Sequence, residues 1–234
     1  LCDKIKNKKE IKDITNCWIK TKNSLQKNSI TKPVDINKTP IIDISEFEEN
    51  RLYRPMTGKV YKMIPIETIR GCPFTCRFCN SPDQMKLYKG LGHNFYRKKR
   101  MDLVHKELKH FKEVHKVEYM YFWADTFLGM SEKELDQFCE IYSDIKLPFW
   151  MQTRPETITE QKVDQLHSVN CHRVSVGIEH GNEKFRREVV NRKITNDLLV
   201  ERTNILGRKI PVSVNNITGF PTETNKMFKD TLDL

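Results

Sequence analysis

From Val60 to the end of the chain, short apolar runs alternate with stretches in which apolar residues recur every three to four positions. The first pattern is that of a buried strand and the second that of a helix with one face turned to a core. The strands read as Tyr61–Ile69, Val117–Trp123, Phe149–Thr153, Arg173–Ile178 and Pro211–Ile217. The first helix runs from about Arg97 to His115, with Val104, Leu108 and Phe111 on one face. The second opens on Ser131-Glu132-Lys133-Glu134, a capping box, and buries Leu135, Phe138 and Ile145. The third carries Val163, Leu166 and Val169, the fourth spans about Thr195–Leu206, and the fifth begins near Thr222. At least five strand-helix units in series force parallel strands and right-handed crossovers, so the expected class is α/β, a partial (β/α) barrel.

Residues 1–59 have a different texture. They are polar and lysine-rich, with Pro33, Pro40 and Pro55 among them, and read as a linker and the tail of a preceding domain. Residues 60–234 form the expected core. The chain opens on Leu1 and stops inside a helical pattern, so it reads as a fragment whose last unit is truncated. No apolar run is long enough for a membrane span. The net charge of +10 raises the question of nucleic acid, but the excess is diffuse and residues 121–180 are acidic. The dense run Arg97-Lys98-Lys99-Arg100 reads as a solvated helix start.

In a β/α barrel the working side chains come from the C-terminal ends of strands and the loops after them. Those positions hold Cys72, Cys76 and Cys79, then Asp125, Arg154, Glu179 with His180, and Asn215 with Asn216; Trp123 and Gln152 are further candidates for lining a pocket. The cysteines are spaced CxxxCxxC, while Cys2, Cys17, Cys139 and Cys171 are scattered bystanders. A structural zinc site uses four ligands, and a disulfide framework pairs its cysteines. Three close thiols suit a [4Fe–4S] cluster better, with one iron left open. Zinc with His93 as fourth ligand is the alternative.

With Phe78 just before the last cysteine, this loop after the first strand resembles that of the radical S-adenosylmethionine superfamily. The likeness extends over roughly residues 60–234, through Ser175-Val176-Gly177-Ile178-Glu179-His180-Gly181 and Ile217-Thr218-Gly219-Phe220-Pro221-Thr222-Glu223-Thr224. It implies that Cys72, Cys76 and Cys79 ligate the cluster. It also implies that the open iron binds S-adenosylmethionine, which one electron splits to methionine and a 5′-deoxyadenosyl radical. Asp125, where many members have Gly-Gly-Glu, takes the role of binding the methionine ammonium, and Glu179 meets the ribose. Ile217 and Gly219 lie against adenine, Phe78 joins the cofactor site, and Arg154 clamps a carboxylate.

Ile41-Ile42-Asp43-Ile44, the run Met63–Pro73, Asp125-Thr126-Phe127 and Thr153-Arg154-Pro155 are most similar to the cobalamin-binding branch. That implies a cobalamin domain before the barrel and methyl transfer, radical rearrangement or ring closure as the reaction. The chain has no Asp-x-His-x-x-Gly motif. A tRNA-modifying member of the superfamily is the other enzymatic reading, and a non-catalytic zinc module the remaining one. The cluster chemistry implies a cytoplasmic setting and a flavodoxin- or ferredoxin-type reductant as partner. The substrate is not legible.

Overall fold

A computed structural model describes all 234 residues. Five parallel strands, Lys59–Glu67, Tyr119–Trp123, Phe149–Thr153, Cys171–Glu179 and Val212–Asn216, lie side by side in chain order. A sixth, Tyr53–Met56, pairs antiparallel with the first at the outer edge. The sheet does not close on itself, so the architecture is a half-barrel with helices on its convex side.

The convex side is held by apolar packing. Ile64, Ile66, Phe122, Phe149, Met151, Val174 and Val176 alternate along the strands, and all are buried in one cluster with Leu108, Leu135, Phe138, Leu166 and Leu206 from the helices. At its centre the Phe122 ring stands edge-on to Phe138 and Phe149, with centroids 5.1 and 5.3 Å apart. Such pairs add about 0.5–1.5 kcal/mol beyond the area they bury.

The helix Glu132–Ser143 has the full capping box, with the Ser131 hydroxyl accepting from the Glu134 N–H and the Glu134 carboxylate accepting from the Ser131 N–H. Thr159, Thr195 and Thr224 cap the helices Glu160–Ser168, Asn196–Gly207 and Asn225–Asp233 in the usual side-chain manner. Ile145 and Val169 are buried as expected but lie just beyond their helix ends.

Two expectations are corrected. The helix after the cysteine loop starts at Met101, because Arg97–Lys98 pairs as a short strand with Ile69–Arg70 and closes the base of the loop. The basic run is therefore not a solvated helix start. Lys98 pairs with Glu134 at 2.6 Å, buried Lys99 with Glu107 at 2.8 Å, and Arg100 with Asp102 at 2.7 Å, while Arg97 donates to backbone carbonyls. A helix at Ser81–Gly90 was not anticipated; it buries only Ser81, so it has no apolar periodicity to detect.

Within residues 1–59, Trp18–Lys20 and Leu25–Lys27 form a small hairpin. Ile36 and Ile44 are buried, and Ile44 joins the main core. No helix is long and apolar enough to cross a membrane.

Candidate active site

The cysteine loop leaves the first strand through Gly71, whose φ is +85°. A β-carbon there would stand 2.8 Å from the Phe95 ring, so glycine is needed both for the backbone and for the space. Cys72 and Cys76 are buried, Cys79 is partly exposed, and all three thiols are free. The Thr126 hydroxyl lies 3.7 Å from the Cys72 sulfur, and the Ser81 N–H donates to the Cys79 sulfur at 3.4 Å.

The outer wall of the loop comes from far along the chain. The Arg77 N–H donates to the Val190 carbonyl at 3.1 Å, and the Asn191 amide donates to the Thr75 carbonyl at 2.7 Å. The Arg77 guanidinium reaches the Glu188 carbonyl.

The three cysteines line one cavity of about 170 Å³ together with Phe74, Phe78, Asp125, Gln152, Arg154, Glu179, Arg192 and Asn215. Arg154, at the end of the third parallel strand, donates to the Cys76 sulfur at 2.9 Å and is held by Glu156 at 2.6 Å. Its guanidinium lies over the Phe74 ring, 3.8 Å from the centroid. Burial opposes the charge on Arg154, but Glu156 outweighs it and the group stays cationic. Glu156 mirrors it: burial disfavours the carboxylate, and the bonds from Arg154 nevertheless carry it below its ordinary range.

Glu179 ends the fourth parallel strand with φ +69°, a conformation rare outside glycine, which turns its side chain back over Gly177. Arg192 pairs with it at 2.9 Å and also donates to the Gly177 carbonyl and, at 3.4 Å, to the Cys76 sulfur. Burial pushes the Glu179 carboxyl up, against the pull of Arg192. Asp125 is shifted upward by desolvation in the cavity, although its residue is solvent-accessible, and solvent access limits that effect.

Among the residues singled out from sequence, Phe78, Asp125, Arg154 and Glu179 therefore meet the cysteines in one cavity, with Gln152 and Asn215 beside them. Ile217 and Gly219 do not line it. Ile217 donates its N–H to the Glu179 carbonyl at 2.8 Å, and Gly219, at φ +83°, donates to Glu223 at 2.6 Å.

Trp123 is 58% exposed and outside the cavity. His180 is a structural residue: its Nδ1 accepts the Asn182 N–H at 3.0 Å, which leaves Nε2–H to donate to Glu223 at 3.2 Å. Arg192 was missed. It belongs to no strand and no periodic face, and nothing local marks it.

The model of the radical SAM superfamily matches residues 66–234. The chain belongs to that superfamily. It is 26% identical over 171 residues to an uncharacterized methyltransferase of Pyrococcus horikoshii, a match covering 71% of this chain and 35% of that one. Its fold is similar to that of the cobalamin-dependent S-adenosylmethionine radical enzyme OxsB with aqua-cobalamin bound, at a TM-score of 0.73 and 14% identity, over 98% of this chain and 33% of that one. It is also similar to the radical S-adenosylmethionine methyltransferase TsrM from Kitasatospora setae, at 0.65 and 17%, over 99% of this chain and 46% of that one. The chain thus spans a third to a half of the length of these relatives.

The donor set fits the cluster that the radical SAM superfamily implies. Three free thiols lining one cavity give a cube three protein ligands and leave its fourth iron open, whereas a structural zinc site takes four ligands. A cube held by three thiolates is anionic, and two buried guanidiniums stand beside one of those sulfurs.

Proposed function

We propose that this radical SAM protein binds a [4Fe–4S] cluster through Cys72, Cys76 and Cys79 and cleaves S-adenosylmethionine reductively to methionine and a 5′-deoxyadenosyl radical. The observation that carries this reading is the convergence of three free sulfurs, two arginines and two carboxylates on one cavity at the C-terminal ends of parallel strands. When bound, the cluster supplies the electron that breaks the carbon–sulfur bond and an iron on which S-adenosylmethionine docks.

The chain's own residues orient and shield. Asp125 accepts from the methionine ammonium, Glu179 from the ribose hydroxyls, and Arg154 faces the carboxylate from beside Cys76. Phe78 flanks the adenine from within the cavity, and the backbone near Ile217 and Gly219 meets it from outside the cavity lining. The reaction needs a reductant of the flavodoxin or ferredoxin type and a reducing compartment, which points to the cytoplasm.

For the branch we favour a cobalamin-dependent methyltransferase or rearrangement enzyme, in which residues 1–59 are the linker and tail of a cobalamin-binding domain and residues 60–234 the catalytic core. The fold likeness to OxsB and TsrM supports this, because at 98% and 99% of the chain it includes that leading segment. A tRNA-modifying enzyme has less support, because the cations of the one dense basic run are engaged within the chain.

The test is anaerobic reconstitution with iron and sulfide, then electron paramagnetic resonance of the reduced protein with and without S-adenosylmethionine. A [4Fe–4S]⁺ signal that changes with S-adenosylmethionine and is lost in Cys76→Ala is the expected result. Stoichiometric zinc without a cluster would overturn it.

A further inference from the structure

The three cysteine sulfurs are treated unequally. Cys72 has a hydroxyl at 3.7 Å and Cys79 a backbone N–H at 3.4 Å, but Cys76 receives two guanidiniums, Arg154 at 2.9 Å and Arg192 at 3.4 Å. The Cys76 residue is 6% exposed, Arg154 6% and Arg192 7%. Charged hydrogen bonds are strong where water is scarce.

Both donors are also fixed in advance. Glu156 and the Phe74 ring hold Arg154, while Glu179 and the Gly177 carbonyl hold Arg192. They arrive from different elements, the end of the third parallel strand and the loop after the helix Glu183–Glu188, so their meeting at one sulfur is not a by-product of a single turn.

We infer that Arg154 and Arg192 raise the reduction potential of the cluster by hydrogen bonding to the Cys76 thiolate, and that Glu156 sets how much of the Arg154 charge the cluster feels. The inference rests on the cluster reading above. Reduction adds one electron to the cube, from [4Fe–4S]²⁺ to [4Fe–4S]⁺, with no bond made or broken. Its extra negative charge is stabilised more by a nearby cation than the oxidised form is. Hydrogen bonds to the sulfurs and net charge are the levers by which a protein sets such potentials. The consequence is a cluster that a weaker electron donor can reduce.

The experiment is a potentiometric titration of the reconstituted chain, with dithionite as reductant and the [4Fe–4S]⁺ resonance as readout. Arg192→Gln is expected to lower the ratio of reduced to oxidised cluster at a fixed potential about tenfold, equal to about 59 mV for a one-electron couple. Arg154→Gln, losing the shorter bond, should lower it at least as far. Arg192→Lys should recover most of the shift.

Glu156→Gln should move the ratio in the opposite direction, because the carboxylate that offsets Arg154 is gone. A merely structural role does not produce that reversal of sign. Potentials unchanged in all variants, or all displaced the same way, would overturn the inference while leaving the cluster in place. Wild-type protein that binds no iron would sink the cluster reading and this inference with it. If Arg154→Gln fails to assemble a cluster, Arg192→Gln and Glu156→Gln still decide by their opposed signs.

Discussion

On the convex side of the sheet, Phe122, Phe138, Tyr142 and Phe149 are fully buried against one another and against helices that follow directly in the chain. At the C-terminal rim of the same strands, Arg154, Glu156, Glu179 and Arg192 are held in place by charge, and Arg192 meets Cys76 across 116 positions of sequence. The first region is cohesive because many small contacts add up. The second depends on a few partners, each of which leaves a buried charge unmatched if it is lost. The core should therefore carry stability and the rim ligand binding.

The strongest test of that division is Phe138→Ala, which opens a cavity at the middle of the aromatic cluster. It is expected to cost about 3–5 kcal/mol in denaturant unfolding. A cost near zero would mean that the core does not carry the fold.

Gly181→Ala comes next. Its β-carbon would lie 2.2 Å from the Asp230 carbonyl oxygen, forcing away the helix Asn225–Asp233, which also docks through Thr231 and Asp230. The expected loss is about 1–3 kcal/mol, with faster proteolysis after residue 217.

Ser131→Ala removes one half of the capping box and should cost about 1 kcal/mol by the same assay.

Gly177→Ala is the rim counterpart. The new methyl would crowd the Glu179 carboxylate at 2.4 Å, a side-chain end that can swing aside, so stability should fall by less than about 1 kcal/mol. Binding of S-adenosylmethionine to the reconstituted protein should weaken severely, because Glu179 and Arg192 are displaced together. A variant as unstable as Phe138→Ala with normal binding would erase the distinction between the two regions.

The smallest effect is one of pH. Burial opposes the charge of Glu134, but Lys98 and the Ser131 groups prevail and hold its carboxyl below the ordinary value of 4.5. The folded chain then binds fewer protons at this group than the unfolded chain does. Its contribution is complete above pH 4.5 and is lost as pH falls through the lowered value. Glu134→Gln should flatten the part of the stability profile that falls away below pH 4.5.

The core was legible in the sequence because strand and helix periodicities repeat over neighbouring residues. Val104, Leu108, Leu135, Phe138, Val163 and Leu166 could each be placed on a buried face from spacing alone. At the rim, the cysteines, Asp125, Arg154 and Glu179 could be found because each ends or follows a strand.

Arg192 could not be found, because it reaches the cavity from an irregular segment and its partners, Cys76, Gly177 and Glu179, are set by tertiary approach. The helix Ser81–Gly90 escaped for a related reason: nine of its ten residues are not buried, so no pattern records it. Ile217 and Gly219 were placed by resemblance; Ile217 bonds to the Glu179 backbone and Gly219 to Glu223, and neither lines the cavity.

The strap that closes the cysteine loop also bears on the order in which the chain is made. The Thr75 carbonyl and the Arg77 N–H find their partners only at Asn191 and Val190, more than a hundred residues later. A nascent chain that has emerged only as far as the fourth parallel strand owns all three thiols but not the wall that shapes them. The pocket is completed only once residues 190 and 191 have emerged, and until then the three thiols lie in a loop that lacks its outer wall.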